Sequence, residues 1–362
     1  NLWQAEHCIE LFEEGATIPF ISRYRKERTG GLDEVQVTEI KHYFLRFTEL
    51  EKRKCSIIKS IQEQDKLTEE LRSSIEETLD ENRLEDIYLP YKPKRRTRAS
   101  VARELGLEPL AKDLFEFRVS DCHKEAVKYL SEKIGTSEDA LSGARDIIAE
   151  WISEKADVRE KVREYSGKRG VVKVTAARGA GEAENSKYSN YFDFSQNITN
   201  IPAHRLLAAL RGEKEGELTV KLEVNESDAL SIIKTMIFKD KKSVSGSSGE
   251  QVTIALEDSY VRLIAPSIEN EVFKIAKEKA DLESVKVFGE NLSALLLAPP
   301  VGQKRVLAID PGFRTGCKIV CLDAQGELLH NDTIYPHPPQ NEKIAAMKKI
   351  SNLVESYKIE II

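Results

Sequence analysis

A short run of basic residues has the clearest chemistry in this sequence. Residues 92–98 contain five cations and no acid, preceded by an aromatic ring. The residues concerned are Tyr91, Lys92, Lys94, Arg95, Arg96 and Arg98. Pro90 and Pro93 exclude a regular helix, so we expect a stiff loop, the basic loop (residues 92–98). Such a segment is typical of sites that bind the phosphates and bases of nucleic acid. The alternative is a solvated loop that pairs with nearby acids, namely Glu81, Glu85 and Asp86.

Asp310 offers a catalytic alternative. It ends a short apolar segment, RVLAID, and is followed by Pro311 and Gly312. A carboxylate at the end of a strand can help to hold the paired divalent ions that hydrolyse phosphodiesters. One carboxylate does not organise two ions, and the acids that follow it lie at a turn and its flanks: Asp323, Glu327 and Asp332. We therefore assign no catalytic residue and favour a role for Asp310 in capping the turn, with a metal-bound Asp310 as the alternative.

Two further polar segments favour structural interpretations. Four cations and a tyrosine cluster near the N-terminus, at Arg23, Tyr24, Arg25, Lys26 and Arg28. Acids at Glu27 and Glu34 can neutralise this cluster locally, which favours the charged outer face of a packed helix. Residues 204–205, a His-Arg pair after a proline, are expected to begin a helix with leucines on its inner side.

The sequence contains no P-loop, no GxGxxG after a strand and no GxSxG. The short Gly-Ala-Gly segment at 179–181 lacks the lysine and hydroxyl residue of a phosphate cradle. The five cysteines and six histidines are dispersed, which indicates neither a disulfide framework nor a zinc site. We therefore expect no cofactor, no metal and a reducing, cytoplasmic location.

Length and charge limit the architecture and the partners. A chain of 362 residues exceeds one ordinary hydrophobic core, so two or three domains are expected. No apolar run approaches the roughly 20 residues of a membrane span, and no signal peptide is indicated, so no membrane partner is expected. The net charge of −6 means that nucleic acid must be bound by local patches rather than by the field of the whole molecule.

Hydrophobic periodicity predicts a helical region followed by an α/β region. Helices are predicted over 3–14, ending at Gly15, and in pieces over 33–79, where Thr68 can serve as an N-cap. Further helices are predicted in pieces over 109–165 and over 267–297. A strand is predicted over 218–224 and a surface loop over 239–250, whereas 166–187 are left open. Strands are then predicted over 305–310, 316–322 and 327–335, with a helix over 341–357 and the start of a strand at 359–362. This order is the opening of an α/β domain with a mixed sheet, so we predict domains at 1–300 and 301–362, the second incomplete.

Four long segments resemble the Tex family of bacterial transcription accessory proteins. They are ATIPFISRYRKERTGGLDE (16–34), LEDIYLPYKPKRRTRASVARELGLEPLA (84–111), IPAHRLLAALRGEKEG (201–216) and LAIDPGFRTGCKIVCLDAQGELLHNDTIYPHPPQNE (307–342). Segments of this length, in order and spread over the whole chain, are far more specific than a short motif.

The resemblance implies a mostly helical N-terminal region with a helix-turn-helix-like portion, followed by a YqgF domain of ribonuclease-H-like fold. In the family, helix-hairpin-helix modules and an OB-fold RNA-binding domain come next, and these are expected to be absent here. Family members are nucleic-acid-binding transcription factors, and their YqgF domains are regarded as lacking nuclease activity.

The function that we predict is a non-enzymatic scaffold that binds RNA or DNA with little sequence specificity. The transcription machinery is a further expected partner, and the YqgF domain is expected to be a structural module. Two alternatives remain: a metal-dependent nuclease or resolvase that uses Asp310, and a protein-only adaptor for the transcription machinery.

Overall fold

The computed structural model describes residues 1–177, 186–238, 247–299, 301–312 and 315–362. The described chain is mainly helical and contains two small three-stranded sheets, one in the helical region and one near the C-terminus. This confirms the predicted mainly α region followed by an α/β region. The chain separates into two compact units, residues 1–284 and 285–362. The predicted domain boundary after residue 300 stays a prediction.

The first unit begins with helices whose starts are set by local caps. These helices are α1 (Leu2–Glu13), α2 (Ile18–Tyr24), α3 (Lys26–Thr29), α4 (Glu34–Gln62), α5 (Glu69–Glu77) and α6 (Glu81–Tyr88). Asp33 caps α4 by accepting a hydrogen bond from the backbone N–H of Gln36 at 2.8 Å. Thr68 caps α5, as predicted, by accepting from the N–H of Leu71 at 3.2 Å. Each cap pairs an N–H group that the first helical turn leaves without a partner.

The chain then passes through the proline-containing segment into α7 (Arg98–Glu104). Leu89–Tyr91 form one 3-10 turn, and the helix resumes at Arg98 because Thr97 caps it, accepting from the N–H of Ser100 at 3.0 Å. The sequence predicted that helical structure resumes near Pro109, and this prediction missed α7. Arg98 therefore belongs to the first turn of a helix and not to the loop itself.

A central helix organises the core of the first unit. The helices in this part are α8 (Glu108–Phe115), α9 (Cys122–Ala126), α10 (Ser137–Ser153) and α11 (Ala156–Arg169). Along α10 the side chains of Leu141, Ile147 and Ile148 are fully buried. They belong to one continuous hydrophobic core that extends from α7 to the long helix near the end of the unit. This packing makes α10 a rigid base for anything attached to its surface.

A small antiparallel sheet lies against this core. Its strands are β1 (Val171–Ala176), β2 (Asp193–Asn197) and β3 (Leu218–Glu223), in the order β2-β1-β3, and α12 (Ala203–Lys214) precedes β3. The predicted strand at 218–224 is thus confirmed. The segment that the sequence left open, 166–187, begins with the end of α11 and continues with strand β1, whose buried residues are Val172 and Val174. The Gly-Ala-Gly segment at 179–181 lies outside the described residues.

The last helices of the first unit correct one prediction. They are α13 (Glu226–Phe238), α14 (Ser247–Asp258) and α15 (Ala265–Leu296), and a π-helical segment (Ser259–Ile264) joins the last two. Of the predicted surface loop, residues 239–246 lie outside the described ranges, whereas 247–250 form the first turn of α14. The prediction fails there because Ser248 is buried and donates a hydrogen bond to the carbonyl of Val119 at 2.6 Å. Pro266 adjoins the π segment, and a proline that removes a helical donor is a usual cause of such irregularity.

The second unit contains the sheet predicted near the C-terminus. Its elements are β4 (Val306–Asp310), β5 (Cys317–Leu322), β6 (Leu328–Ile334) and α16 (Lys343–Tyr357), with sheet order β4-β5-β6. Cys317, Ile319 and Cys321 are buried on one face of β5, as the alternation predicts. Ile361 forms a parallel bridge with Val306, so the chain returns beside the first strand. The predicted order of three strands and a helix is confirmed, and the start of a strand predicted at 359–362 is a single bridge residue, Ile361.

Candidate nucleic-acid interface

The basic loop is attached to the helical core through Lys94. Its ammonium group bonds to Glu150 at 3.1 Å and also pairs with Glu154. Glu150, on α10, also accepts from Arg103 at 2.8 Å and from the hydroxyl of Thr97 at 3.1 Å. One carboxylate therefore joins the loop, its helix cap and α7 to the central helix.

The electrostatics of these two carboxyl groups differ. Burial alone pushes the pKa of Glu150 upward, but hydrogen bonds from Arg103 and Lys94 outweigh burial, so the pKa of Glu150 is lowered. Burial dominates at Glu154 and raises its pKa although Lys94 opposes the shift. Of the two partners of Lys94, Glu150 is therefore the one that stays ionised to lower pH. The positive charge of Lys94 is balanced by carboxylates of the protein itself.

The acids that the sequence offered as partners of the loop are engaged elsewhere. Glu81 pairs with Arg46 at 3.8 Å, and Glu85 pairs with Arg53 at 2.6 Å. Asp86 pairs with two arginines of α11. The partners named in the alternative interpretation are therefore wrong. Within the described structure the acids that reach the loop are Glu150 and Glu154, at Lys94, and Glu104, at Arg96.

Three cations of the loop remain turned toward solvent. Lys92 and Arg95 are exposed and make no ion pair with the residues that the structure describes. Arg96 approaches Glu104 at 3.6 Å, with 75% and 64% of the two side chains exposed. Exposed pairs of this kind contribute about 0–1 kcal/mol, so Arg96 stays available to a ligand phosphate.

Arg98 and Tyr91 are placed differently from the rest of the predicted site. Arg98 is exposed and lines a cavity of about 430 Å³, together with Lys92, Asp146 and Arg262. The ring of Tyr91 is half-buried and packs against the core formed by α4, α5 and α6. The structure therefore separates Arg98 from Arg95 and Arg96, which do not line this cavity, whereas Lys92 lies next to both.

Tyr88, upstream of the loop, has a structural role. Its ring is buried, and its hydroxyl hydrogen-bonds with that of Ser60 at 3.0 Å. The guanidinium group of Arg53 lies over its ring, 5.4 Å from the centroid. These contacts hold in place the residue at the end of α6, from which the chain leads into the basic loop.

A buried ionic network lies beside the loop, and sequence reasoning missed it. Arg159 bonds to Asp86 at 2.5 Å and to Ser267 at 2.8 Å, and it also pairs with Glu271. Arg163 bonds to Asp86 and to Glu271, each at 2.7 Å. Burial raises the pKa of Asp86 although both guanidinium groups oppose the shift. The network joins α6, α11 and α15, and no local pattern in the sequence connects these segments.

The N-terminal basic cluster follows the structural interpretation, with different partners. Arg28 pairs with Glu10 at 3.2 Å and with Glu14 at 3.6 Å, both on or next to α1. The guanidinium of Arg25 lies 4.6 Å from the centroid of the Phe20 ring. These contacts hold α1, α2 and α3 together, so we do not include the cluster in the interface.

Asp310 ends β4 with an exposed side chain, opposite Lys318 of β5 in the sheet register. The downstream acids do not gather around it: Asp323 caps its own turn, accepting from the N–H of Gln325 at 2.9 Å. Asp332 pairs with Lys349 at 2.7 Å, and this hydrogen bond lowers the pKa of Asp332. Within the described ranges, no group of three or more His, Cys, Asp or Glu side chains lies close enough to hold a metal ion.

The fold and the candidate interface define a mainly helical protein that holds a cationic loop against a packed helical core and has a small α/β unit. Among the helices that the structure describes, none has both the length and the apolar character required to cross a bilayer.

Sequence comparisons match this architecture part by part. The Tex-like protein N-terminal domain matches residues 1–62, the Tex central region-like family matches 118–288, and the Tex protein YqgF-like domain matches 304–362. The uncharacterized protein YdcI of Bacillus subtilis is 42% identical over 99% of this chain and 50% of its own length. The transcriptional accessory protein Tex of Neisseria gonorrhoeae is 38% identical over 99% of this chain and 47% of its own.

A human relative, S1 RNA-binding domain-containing protein 1, is 30% identical over 98% of this chain and 36% of its own length. The chain spans about half the length of the bacterial relatives described above. Matches to three Tex domains in their order, together with relatives that bear the Tex name, show that the chain belongs to the Tex family.

Proposed function

We propose that this chain is a non-enzymatic, nucleic-acid-binding scaffold that acts with the transcription machinery in the cytoplasm. The observation that carries the proposal is the group of solvent-facing cations on a loop that Lys94 fastens to the core. Cations held in this way lose little conformational entropy when a ligand binds. The names of the relatives, a transcriptional accessory protein and an RNA-binding-domain protein, point in the same direction.

Binding through such a loop is dominated by phosphates. Lysine and arginine side chains that replace the counterions of a nucleic acid make affinity fall with rising salt, and such contacts carry little sequence information. The proposed ligand is therefore RNA, or DNA, of many sequences. In this proposal the YqgF-like unit has a structural role.

Reversing the charge of Arg95 and Arg96 together (R95E/R96E) is the test of this proposal. Loss of two phosphate contacts is expected to make the negative slope of log affinity against log salt shallower by about 1.4 for a single strand. Affinity is expected to fall by about tenfold or more. Fluorescence anisotropy of labelled RNA, titrated over a range of salt concentrations, measures both quantities.

The matched control is K274E/K286E, which changes the net charge equally at two exposed lysines of α15. We expect this variant to bind like the parent chain. Equal losses in the two variants would show that overall charge, and not the loop, governs binding, and the proposed interface would then be wrong.

The nuclease alternative is tested at Asp310. We expect no cleavage of RNA or branched DNA in Mg²⁺ or Mn²⁺ that the substitution Asp310→Asn removes, because one exposed carboxylate does not hold the two ions of such a site. A gel assay with both proteins at equal concentration measures this. Cleavage that disappears in the variant would reverse our assignment and make the chain an enzyme.

A further inference from the structure

The basic loop forms one wall of a groove, and the C-terminal end of α4 forms the other. The groove has a volume of about 750 Å³. The α4 side contributes Ser60, Gln64 and Lys66, and α7 closes the far end with Ser100 and Glu104. Sequence reasoning did not include Lys66, since about thirty residues separate it from the loop.

Hydrogen bonds fix the distance between the two walls. The side-chain amide of Gln64 donates to the carbonyl of Tyr91 at 2.9 Å and to that of Ser60 at 3.0 Å. The hydroxyl groups of Ser60 and Tyr88 also bond across this junction. The width of the groove is therefore set before any ligand arrives, which reduces the entropic cost of binding.

The groove carries positive charge on both walls. Lys94 and Arg103 line it, but their charges are already balanced by ion pairs with Glu150 and, at Lys94, with Glu154. The cations that remain to meet a ligand are Lys66 on one wall and Lys92, Arg95 and Arg96 on the other. Two acids line the groove, Glu63 and Glu104, and Glu104 is the loosely held partner of Arg96. The balance therefore favours an anion that can contact both walls at once.

We propose that this groove binds the sugar-phosphate backbone of one nucleic-acid strand between Lys66 and the Arg95–Arg96 pair. The inference rests on the proposed function and adds to it the form of the ligand. The volume lies within the roughly 300–1,000 Å³ of small-ligand pockets, so the groove admits a few nucleotides of a single strand. A duplex, which is wider and stiffer than a single strand, is expected to contact Arg95 and Arg96 without reaching Lys66.

The test is Lys66→Glu in the 362-residue chain, with oligouridylate and an RNA duplex of equal length as probes. The variant is expected to bind oligouridylate more weakly, with a slope of log affinity against log salt that is shallower by about 0.7. It is expected to bind the duplex as the parent chain does. The matched control is Lys59→Glu, an exposed lysine in the last turn of α4 that does not line the groove. Its binding to both probes is expected to equal that of the parent chain.

Three outcomes would overturn the inference, and they differ from one another. Unchanged oligouridylate binding by K66E, together with weakened binding by R95E/R96E, removes the second wall but leaves the proposed function standing. Unchanged binding by both variants removes the proposed function as well. Equal weakening of oligouridylate and duplex by K66E removes the preference for a single strand. Circular dichroism of K66E should match that of the parent chain, because Lys66 makes no ion pair with the described residues.

Discussion

Replacement of Arg159 by alanine is expected to destabilise the first unit by about 3–5 kcal/mol. Only 6% of the Arg159 side chain and 4% of Asp86 are exposed, and their atoms meet at 2.5 Å. Removal of the guanidinium leaves Asp86 with Arg163 alone and takes the donor away from Ser267 and Glu271. A buried carboxylate that loses one of two cationic partners carries a desolvation cost that the lost guanidinium no longer offsets.

The measurement is urea unfolding followed by tryptophan fluorescence. Both tryptophans, Trp3 and Trp151, lie within the first unit, so their signal reports on that unit by itself. Two-state analysis is then applied to one cooperative region rather than to the whole chain.

Arg83→Ala is the matched control for this prediction. Arg83 also joins α6 to α11, with bonds to Asp157 at 2.6 Å and Glu160 at 3.0 Å. Its partners are 72% and 57% exposed, so the loss is expected to be about 0–1 kcal/mol. If Arg159→Ala were as mild as Arg83→Ala, the buried network would not contribute to stability in the way that we infer.

Local signals in the sequence predicted the elements that depend on local contacts. Thr68 as an N-cap, Gly15 just beyond α1 with a positive φ of 85°, and the strand and helix order after residue 301 all follow from neighbouring residues. The first turn of α14 was wrong because its stability comes from Ser248 bonding to Val119, 129 positions away. The composition of a segment shows how polar it is, but a buried hydrogen bond to a distant residue can still stabilise it as a helix.

The same distinction holds for the candidate site. Sequence reasoning found the cations of the basic loop because they are consecutive, and it proposed as partners the acids nearest in the chain. Asp86 instead meets Arg159 and Arg163, 73 and 77 positions away. Lys66 was missed for a similar reason, since tertiary contacts such as Gln64–Tyr91 and Ser60–Tyr88 bring α4 next to the loop. Residues that share a surface through tertiary packing leave no spacing pattern to detect.

Lys94→Ala is expected to separate attachment of the loop from ligand binding. Its loss leaves Glu150 and Glu154 buried with Arg103 as the remaining cation, and we expect the first unit to lose about 2–3 kcal/mol. This is less than the full 3–5 kcal/mol of a buried pair because 30% of the Lys94 side chain is exposed. The salt slope for RNA is expected to stay unchanged, since Lys94 is already neutralised within the protein and releases no counterion.

Arg95→Ala should give the opposite result, although the two residues are adjacent and equally basic in the sequence. Because Arg95 is exposed, the unfolding free energy of the variant is expected to differ from that of the parent by less than about 0.5 kcal/mol. The slope of log affinity against log salt is expected to become shallower by about 0.7 for a single strand. Urea unfolding and salt-titrated anisotropy on both variants give four values. A Lys94→Ala chain of parental stability with a lower slope would mean that Lys94 contacts the ligand and that Glu150 does not hold the loop. Lys94 is assigned to the core and Arg95 to the ligand because a cation whose charge is already balanced by a buried carboxylate releases no counterion when a phosphate binds.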